Sequence, residues 1–370
     1  MKSVFFCLLS FTFFYNASAQ IPLKVLPSGG NKKAIVGEQI GLTTVVINYD
    51  RPGVKGREGK IWGQLVPIGY VDQGFGTARK APWRAGSNEN TTIEFNTSVT
   101  VEGQPLPAGK YGVFIAFDAS ESTLIFSKNS SSWGSYYYDD KEDALRVKVK
   151  PTVIDKSVEW LSYSFSNQTE NSATITLSWE KLAIPFRIQV DYINDQLESF
   201  RKELRTEKGF IWESWQQAAA WCLDRNVNLE QALQWADSAS SGTFGGHKEF
   251  QNFVTKAQIQ GKLGKADDAA QTLKKGMQVA TIQELNQYGR RLISQKKNKE
   301  AMDVFKFNLE KNPNKFAPLV GMARGYSADG DYKTALKYAK MAEPLAPDEA
   351  NKKNIIAIIE TLKEGKDINQ

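Results

Sequence analysis

The chain of 370 residues carries one histidine and two cysteines, and each scarcity excludes a class of chemistry. A single histidine leaves no His-rich zinc or iron centre, and any Ser-His-Asp or Cys-His relay has only His247 to use. Cys7 lies in the N-terminal apolar segment. Cys222 is then the one thiol of the remaining chain, and an internal disulfide is excluded. Cys222 follows Ala218-Ala219-Ala220-Trp221 in a helical pattern, which reads as a small buried residue rather than a nucleophile. Long apolar runs are missing too. Val4 to Phe14, broken by Ser10 and Thr12, is too short to cross a hydrocarbon core about 30 Å thick, and no transmembrane segment is expected downstream. Lying between Lys2 and Ala17-Ser18-Ala19, it reads as a secretory signal over 1–19, cleaved near Ala19. The expectation is an exported protein, periplasmic or at the cell surface.

One-signed charge is also lacking. Residues 20–195 hold 19 basic and 19 acidic side chains, so the chain's net +6 comes almost wholly from beyond 195. There lysines mix with acids and amides, as in Lys296-Lys297-Asn298-Lys299-Glu300, the pattern of a solvated helix face rather than a nucleic-acid stripe. No nucleic-acid partner is expected.

Two hydrophobic rhythms are present. After an extension over 20–36, short runs of β-branched and aromatic residues fill 37–195, separated by Gly, Pro, Asn and Asp. The runs are Leu42 to Tyr49, Thr91 to Phe95, Tyr111 to Phe117, Thr123 to Phe126, Leu145 to Val149, Trp160 to Phe165, Ala173 to Trp179 and Phe186 to Val190. Alternation such as Thr174-Ile175-Thr176-Leu177-Ser178-Trp179 suits half-buried strands, and about eight of them predict an antiparallel β-sandwich. The boundary falls near 192–205. Beyond it Ala232, Ala269, Ala301 and Ala335 recur 37, 32 and 34 residues apart, each with a second core-facing residue four positions on. Asn312-Pro313 and Ala346-Pro347 recur 34 apart, and Gly264, Asn298 and Gly330 are placed as breaks between helices. This stretch, 205–365, resembles the tetratricopeptide repeat family, with Gly321 to Tyr326 matching its first-helix pattern. The predicted fold is thus an N-terminal antiparallel β-sandwich followed by an all-α array of helical hairpins. Arrays of this kind either dock a protein partner or serve as scaffold. A protein partner is the expectation taken here.

Two polar segments of the β half exceed what packing needs: Tyr49 to Gly63, containing Arg51-Pro52-Gly53-Val54-Lys55-Gly56-Arg57, and Trp83 to Thr92. Phosphate-cradling templates fail on the first. Five residues separate Gly53 from Gly59-Lys60, and Ile61 stands where a hydroxyl is needed. No cofactor is implied. The same segments, together with Leu65-Val66-Pro67, Leu106-Pro107-Ala108-Gly109-Lys110-Tyr111, Trp133-Gly134 and Leu145-Arg146-Val147, resemble domain-of-unknown-function family 2911 over about 35–190. That family comprises exported proteins of certain Gram-negative bacteria, often with a helical repeat tail. Glu58-Gly59 and the lengthened loop Asp72 to Ala81 depart from its pattern, and it carries no established activity to transfer.

From the residues alone, Arg51, Lys55, Arg57, Arg84, Asn88 and Glu89, flanked by Trp62 and Trp83, form a candidate site. Guanidinium forks hold anions and indole faces cover sugar rings, so an anionic or saccharide ligand is one reading. Mutual pairing, with Arg57 or Arg84 bridged to Glu89, is another. A third makes Glu89 the acid or base of a hydrolase acting on an envelope glycan, with its carboxylate partner unnamed. Of these, a non-catalytic exported binding protein is the reading adopted, and no catalytic or metal-ligating residue is assigned. Asp139-Asp140-Lys141-Glu142-Asp143 reads as a solvated turn rather than a calcium loop. Tyr136-Tyr137-Tyr138 beside Trp133 reads as sheet edge and core, and His247 as part of a glycine-rich link.

Overall fold

The computed structural model describes residues 30–241 and 246–369. The signal segment 1–19, most of the 20–36 extension and part of the Gly242 to His247 link lie outside the described residues. The chain divides into two compact units, one ending at Gln196 and one starting at Leu197.

The first unit is two antiparallel sheets. Six strands lie in the order β1-β2-β3-β6-β7-β8: β1 (Lys32–Ile40), β2 (Thr43–Arg51), β3 (Thr92–Phe95), β6 (Gly109–Ala116), β7 (Ser122–Ser127) and β8 (Asp143–Val149). Four more lie in the order β5-β4-β10-β9: β4 (Val99–Val101), β5 (Gln104–Leu106), β9 (Thr152–Ser166) and β10 (Ser172–Val190). Val45, Ile47, Phe95 and Ile115 from one sheet join Leu161, Ile175 and Leu177 from the other in a single buried core, as facing sheets with alternating apolar residues require.

Strand β1 begins inside the segment read as extension. It is an outer strand whose burial is confined to half of its residues, so its alternation is muted in the sequence. The runs Ala173 to Trp179 and Phe186 to Val190 are not two strands but the two halves of β10. A bulge between Ser178 and Glu180, with Glu180 at φ 52°, breaks the alternation there. Pro185 falls where β10 passes from pairing with β9, through Ala183, to pairing with β4, from Ile188, so its missing N–H costs no ladder bond.

Helix α1 (Tyr192–Glu203) leads out of the β unit. The helical unit then runs α2 (Trp212–Arg225), α3 (Leu229–Ser240), α4 (Phe250–Lys262), α5 (Ala266–Val279), α6 (Ile282–Ser294), α7 (Asn298–Lys311), α8 (Phe316–Ala328), α9 (Tyr332–Ala342) and α10 (Glu349–Lys363). These are four tetratricopeptide-like hairpins and a final helix. A left-handed residue ends the first helix of each hairpin, Asn226, Gly264, Lys296 and Gly330, and in the first hairpin Asn228 is left-handed as well. Lys296, and not Asn298, is therefore the break in the third hairpin. Asn298 opens α7, and its amide donates to the Ala328 carbonyl at 2.8 Å. The α6 start carries a reciprocal capping box between Thr281 and Glu284.

Ala232, Ala301 and Ala335 are fully buried on the second helices. Ala269 is only half-buried, because α5 makes its close approach through Gly276, against Phe250 and Phe253. Cys222 is buried, and burial pushes its thiol up to about 11, so it is protonated and inert at neutral pH. Among the described residues, no helix is long and apolar enough to cross a membrane.

Candidate functional site

Between β2 and β3 the chain runs for forty residues in turns and isolated bridges, and these build a cleft of about 880 Å³ in the β unit. Its cationic wall comes from the Gly53 to Lys60 turn. Gly53 bridges to Trp160, and the Val54 amide donates to the Glu159 carbonyl. Lys55 and Gly56 then turn through positive φ. Arg57 locks the turn it stands on: Nε donates to the Val54 carbonyl at 3.0 Å and a terminal nitrogen to the Gly53 carbonyl at 2.7 Å. From the far side, the buried Glu180 at the β10 bulge accepts the Gly59 amide at 2.8 Å.

The second wall is Trp83 to Asn88. Trp83 pairs with Ile115 of β6, and the Ala85 carbonyl is held by the hydroxyls of Thr91 and Tyr163. Arg84 donates to the Asn88 carbonyl at 2.6 Å while its guanidinium lies 5.1 Å from the Tyr136 ring centroid. Gly134 sits so close behind that guanidinium that a Cβ there would overlap it.

Behind the two walls lies an indole cluster. Trp83 and Trp179 stack at 6.1 Å, and Trp62 meets both edge-on. Trp62 donates to the Trp179 carbonyl and Trp83 to the Gly86 carbonyl. The Trp179 indole N–H has no acceptor among the described residues, although Trp179 is 1% exposed and lines the cleft. A buried donor left so is costly.

Of the eight residues singled out in the sequence, Lys55, Arg57, Trp83, Arg84 and Asn88 line this cleft. Trp62 stands in the aromatic cluster beside it. Arg51 and Glu89 do not belong to it. Arg51 points to β9, donating to the Leu161 carbonyl at 2.8 Å, because β2 places alternate side chains on opposite faces. Glu89 faces a separate depression of about 410 Å³, where it pairs with Lys33, itself 3.6 Å from the buried Asp50. These partners raise the Lys33 pKa above the usual lysine value, the Glu89 hydrogen bond most of all. Neither arginine pairs with Glu89, so the expected Arg57 or Arg84 bridge is not formed. A hydrolase centred on Arg57 and Glu89 loses its acid: no Asp or Glu is among the described residues lining the cleft. Nor do the two indoles that line the cleft offer a sugar ring an open face, since Trp83 is 8% exposed and Trp179 less.

Three cations line the cleft, while the carboxylates near it are engaged elsewhere, Glu159 accepting the Lys55 amide at 3.1 Å and Glu180 the Gly59 amide. Lys55, Arg57 and Arg84 all lack a carboxylate within ion-pair distance among the described residues. Such a set attracts and orients an anion.

Sequence reasoning missed Trp179 and Tyr136. The Trp179-Glu180 break in alternation was the signal for the first. The three tyrosines lie in the β7–β8 connection rather than on a sheet edge. Tyr136 lines the cleft, Tyr137 is exposed, and Tyr138 is buried, donating to Asp143 at 2.7 Å. Asp143 is correspondingly not part of a solvated turn. Its largely buried carboxylate also accepts from Arg146 at 2.6 Å. His247 is exposed and lies 2.9 Å from Glu249.

Residues 31–188 match the model of the family described as "Protein of unknown function (DUF2911)", in agreement with the resemblance read over about 35–190. No protein of curated function matches the sequence. Among solved structures, the chain is similar to YrrB, titled a TPR protein with an unusual peptide-binding site, at 16% identity and TM-score 0.26. The alignment covers 45% of this chain and 84% of that one. A tetratricopeptide repeat protein from Parabacteroides merdae aligns at 16% identity and TM-score 0.27, over 48% and 73%. MamA from Desulfovibrio magneticus aligns at 15% and 0.24, over 43% and 95%. These likenesses are slight, and the array is assigned on its own four hairpins.

Proposed function

We propose that this chain is an exported, non-catalytic binding protein whose β unit holds a small anion in the Lys55–Arg57–Arg84 cleft and whose helical unit docks a protein partner. One observation carries the first part: three cationic side chains line one cleft, and none is matched by a carboxylate among the described residues. A cleft lined by one sign of charge raises the local concentration of the opposite ion. Export rests on the signal pattern of 1–19. Partner docking is supported by a groove of about 740 Å³ in the helical unit. Its floor is small or apolar, with Ala257, Gly261, Leu273 and Tyr288, and its charges are of both signs, with Asp224, Lys262, Lys297 and Glu300.

Thermal melting of the full chain in phosphate or acetate, at constant ionic strength, tests the anion site. The expected result is a midpoint that rises with anion concentration, by mass action on the folded state, and that stops rising in Lys55→Gln/Arg57→Gln. A midpoint indifferent to every anion, or a rise unchanged in the double variant, contradicts the reading.

A further inference from the structure

The cleft does not end at its cations. Eight large hydrophobic side chains of the β unit are exposed among the described residues. Six of them, Leu65, Ile68, Tyr70, Phe75, Trp133 and Tyr137, belong to the two loops that also wall the cleft through Val71, Gln73 and Tyr136; Trp133 faces the Glu89 depression, whereas Leu65 lines the cleft itself. Scattered exposed apolar residues need no explanation, but concentration on one rim does. Nor are these loops loosely hung. Val71 and Ala81 pair with each other, the amides of Thr77 and Ala78 both donate to the Tyr136 carbonyl at 3.0 Å, and the Gly76 backbone packs on the same carbonyl. The fold therefore fixes these loops while leaving their apolar side chains in water. Phe75 links rim to cleft, its ring 5.3 Å from that of Tyr136 and 6.3 Å from that of Tyr137, edge-on to both.

We propose that the ligand of the cleft is an amphiphilic anion, an organic acid whose charged head lies on Lys55, Arg57 and Arg84 and whose hydrocarbon chain runs out along Leu65, Phe75 and Tyr137. This rests on the anion-binding reading of the same cleft. The charge of the head follows from the unmatched cations, and the length of the ligand from the space. A cleft of about 880 Å³ is many times the roughly 30 Å³ share of a water molecule, so a compact inorganic anion would touch the cations and leave the apolar wall unused. A free acid fits better than a bilayer surface, because Arg57 and Arg84 are half-buried in a recess while a flat membrane would meet only the rim.

Calorimetric titration of the full chain with straight-chain carboxylates from butyrate to decanoate, each kept below its aggregation concentration, tests the proposal. Each added methylene should tighten binding about two- to fourfold, as burial of a CH₂ does. Lys55→Gln, whose side chain makes no hydrogen bond and whose ammonium lies 5.7 Å from the Trp160 ring centroid, should weaken every member of the series. Phe75→Ser/Tyr137→Ser should flatten the dependence on chain length while leaving butyrate within twofold. If butyrate binds but lengthening the chain gains nothing, the rim has no part and only the anion reading survives. If no acid binds, both fail. Decyltrimethylammonium binding as tightly as decanoate would overturn the role of the cations. Retention on phosphatidylglycerol vesicles without binding of free decanoate would overturn the free acid in favour of a membrane.

Discussion

Arg84 shows how much of the site depends on single residues placed for others' sake. Its guanidinium is held on three sides, by the Asn88 carbonyl, the Tyr136 ring and the backbone of Gly134. Gly134 also stands at φ 59°, which costs a residue with a Cβ about 1–2 kcal/mol. Gly134→Ala should lower stability by that order and, by displacing Arg84, weaken anion binding further than the stability loss alone would. Unchanged binding would show that Arg84 takes no part. Asp143 gives a second residue-scale expectation. Burial pushes its carboxyl above the usual aspartate value, against the hydrogen bonds from Tyr138 and Arg146 that pull it down. A carboxyl with a raised folded-state pKa binds its proton more tightly folded than unfolded, so its contribution to stability is full below the unfolded value and is lost as pH rises through the folded one. Denaturant unfolding at a series of acid pH values should show native stability falling, relative to Asp143→Asn, across that window and level above it. A difference independent of pH would contradict the burial argument.

Elements pack here through small residues facing large ones. Phe305 of α7 is fully buried in a socket made by Gly289 of α6 with Gly321 and Gly325 of α8. A Cβ at 289 would overlap the Phe305 ring, and overpacking of this kind costs roughly 1–3 kcal/mol. Gly289→Ala should lower the helical melting transition accordingly, and an unshifted transition would mean that α6 and α7 are not held at this distance. Much of this level was legible in the sequence, because period-two and period-34 rhythms are set by what each element buries. Ala232, Ala301 and Ala335 mark second helices, and the five runs expected between Leu42 and Val149 lie within a few residues of β2, β3, β6, β7 and β8, whereas the three-residue strands β4 and β5 match no expected run. The failures share a cause. Strand β1, the β10 bulge at Glu180 and the left-handed Lys296 are set by tertiary pairing or a local turn with no residue-type signature. In the site, the basic residues of the Gly53 to Lys60 turn and of Trp83 to Asn88 announced themselves by composition. The departures of Arg51 and Glu89 did not, since a one-residue difference in facing sends a side chain to another surface.

At the scale of the whole molecule, the chain is two units with separate cores, one ending at Gln196 and the other beginning at Leu197. Hairpins that bury their cores against neighbours should stand alone. Residues 197–370 expressed by themselves should give a cooperative helical melt by circular dichroism, and a gradual trace would count against the array. The functional claim rests on the other unit, on an anion entering a cleft whose cations are unmatched, beside a buried indole N–H that has no acceptor among the described residues. The full chain, labelled with ¹⁵N at tryptophan and titrated with hexanoate, reports on that directly. The Trp179 indole resonance should move with anion concentration and cease to do so in Lys55→Gln/Arg57→Gln, while the Trp62 and Trp83 resonances, already bonded to backbone carbonyls, move less. A Trp179 resonance indifferent to hexanoate and to inorganic anions alike would contradict the assignment of this cleft as an anion site.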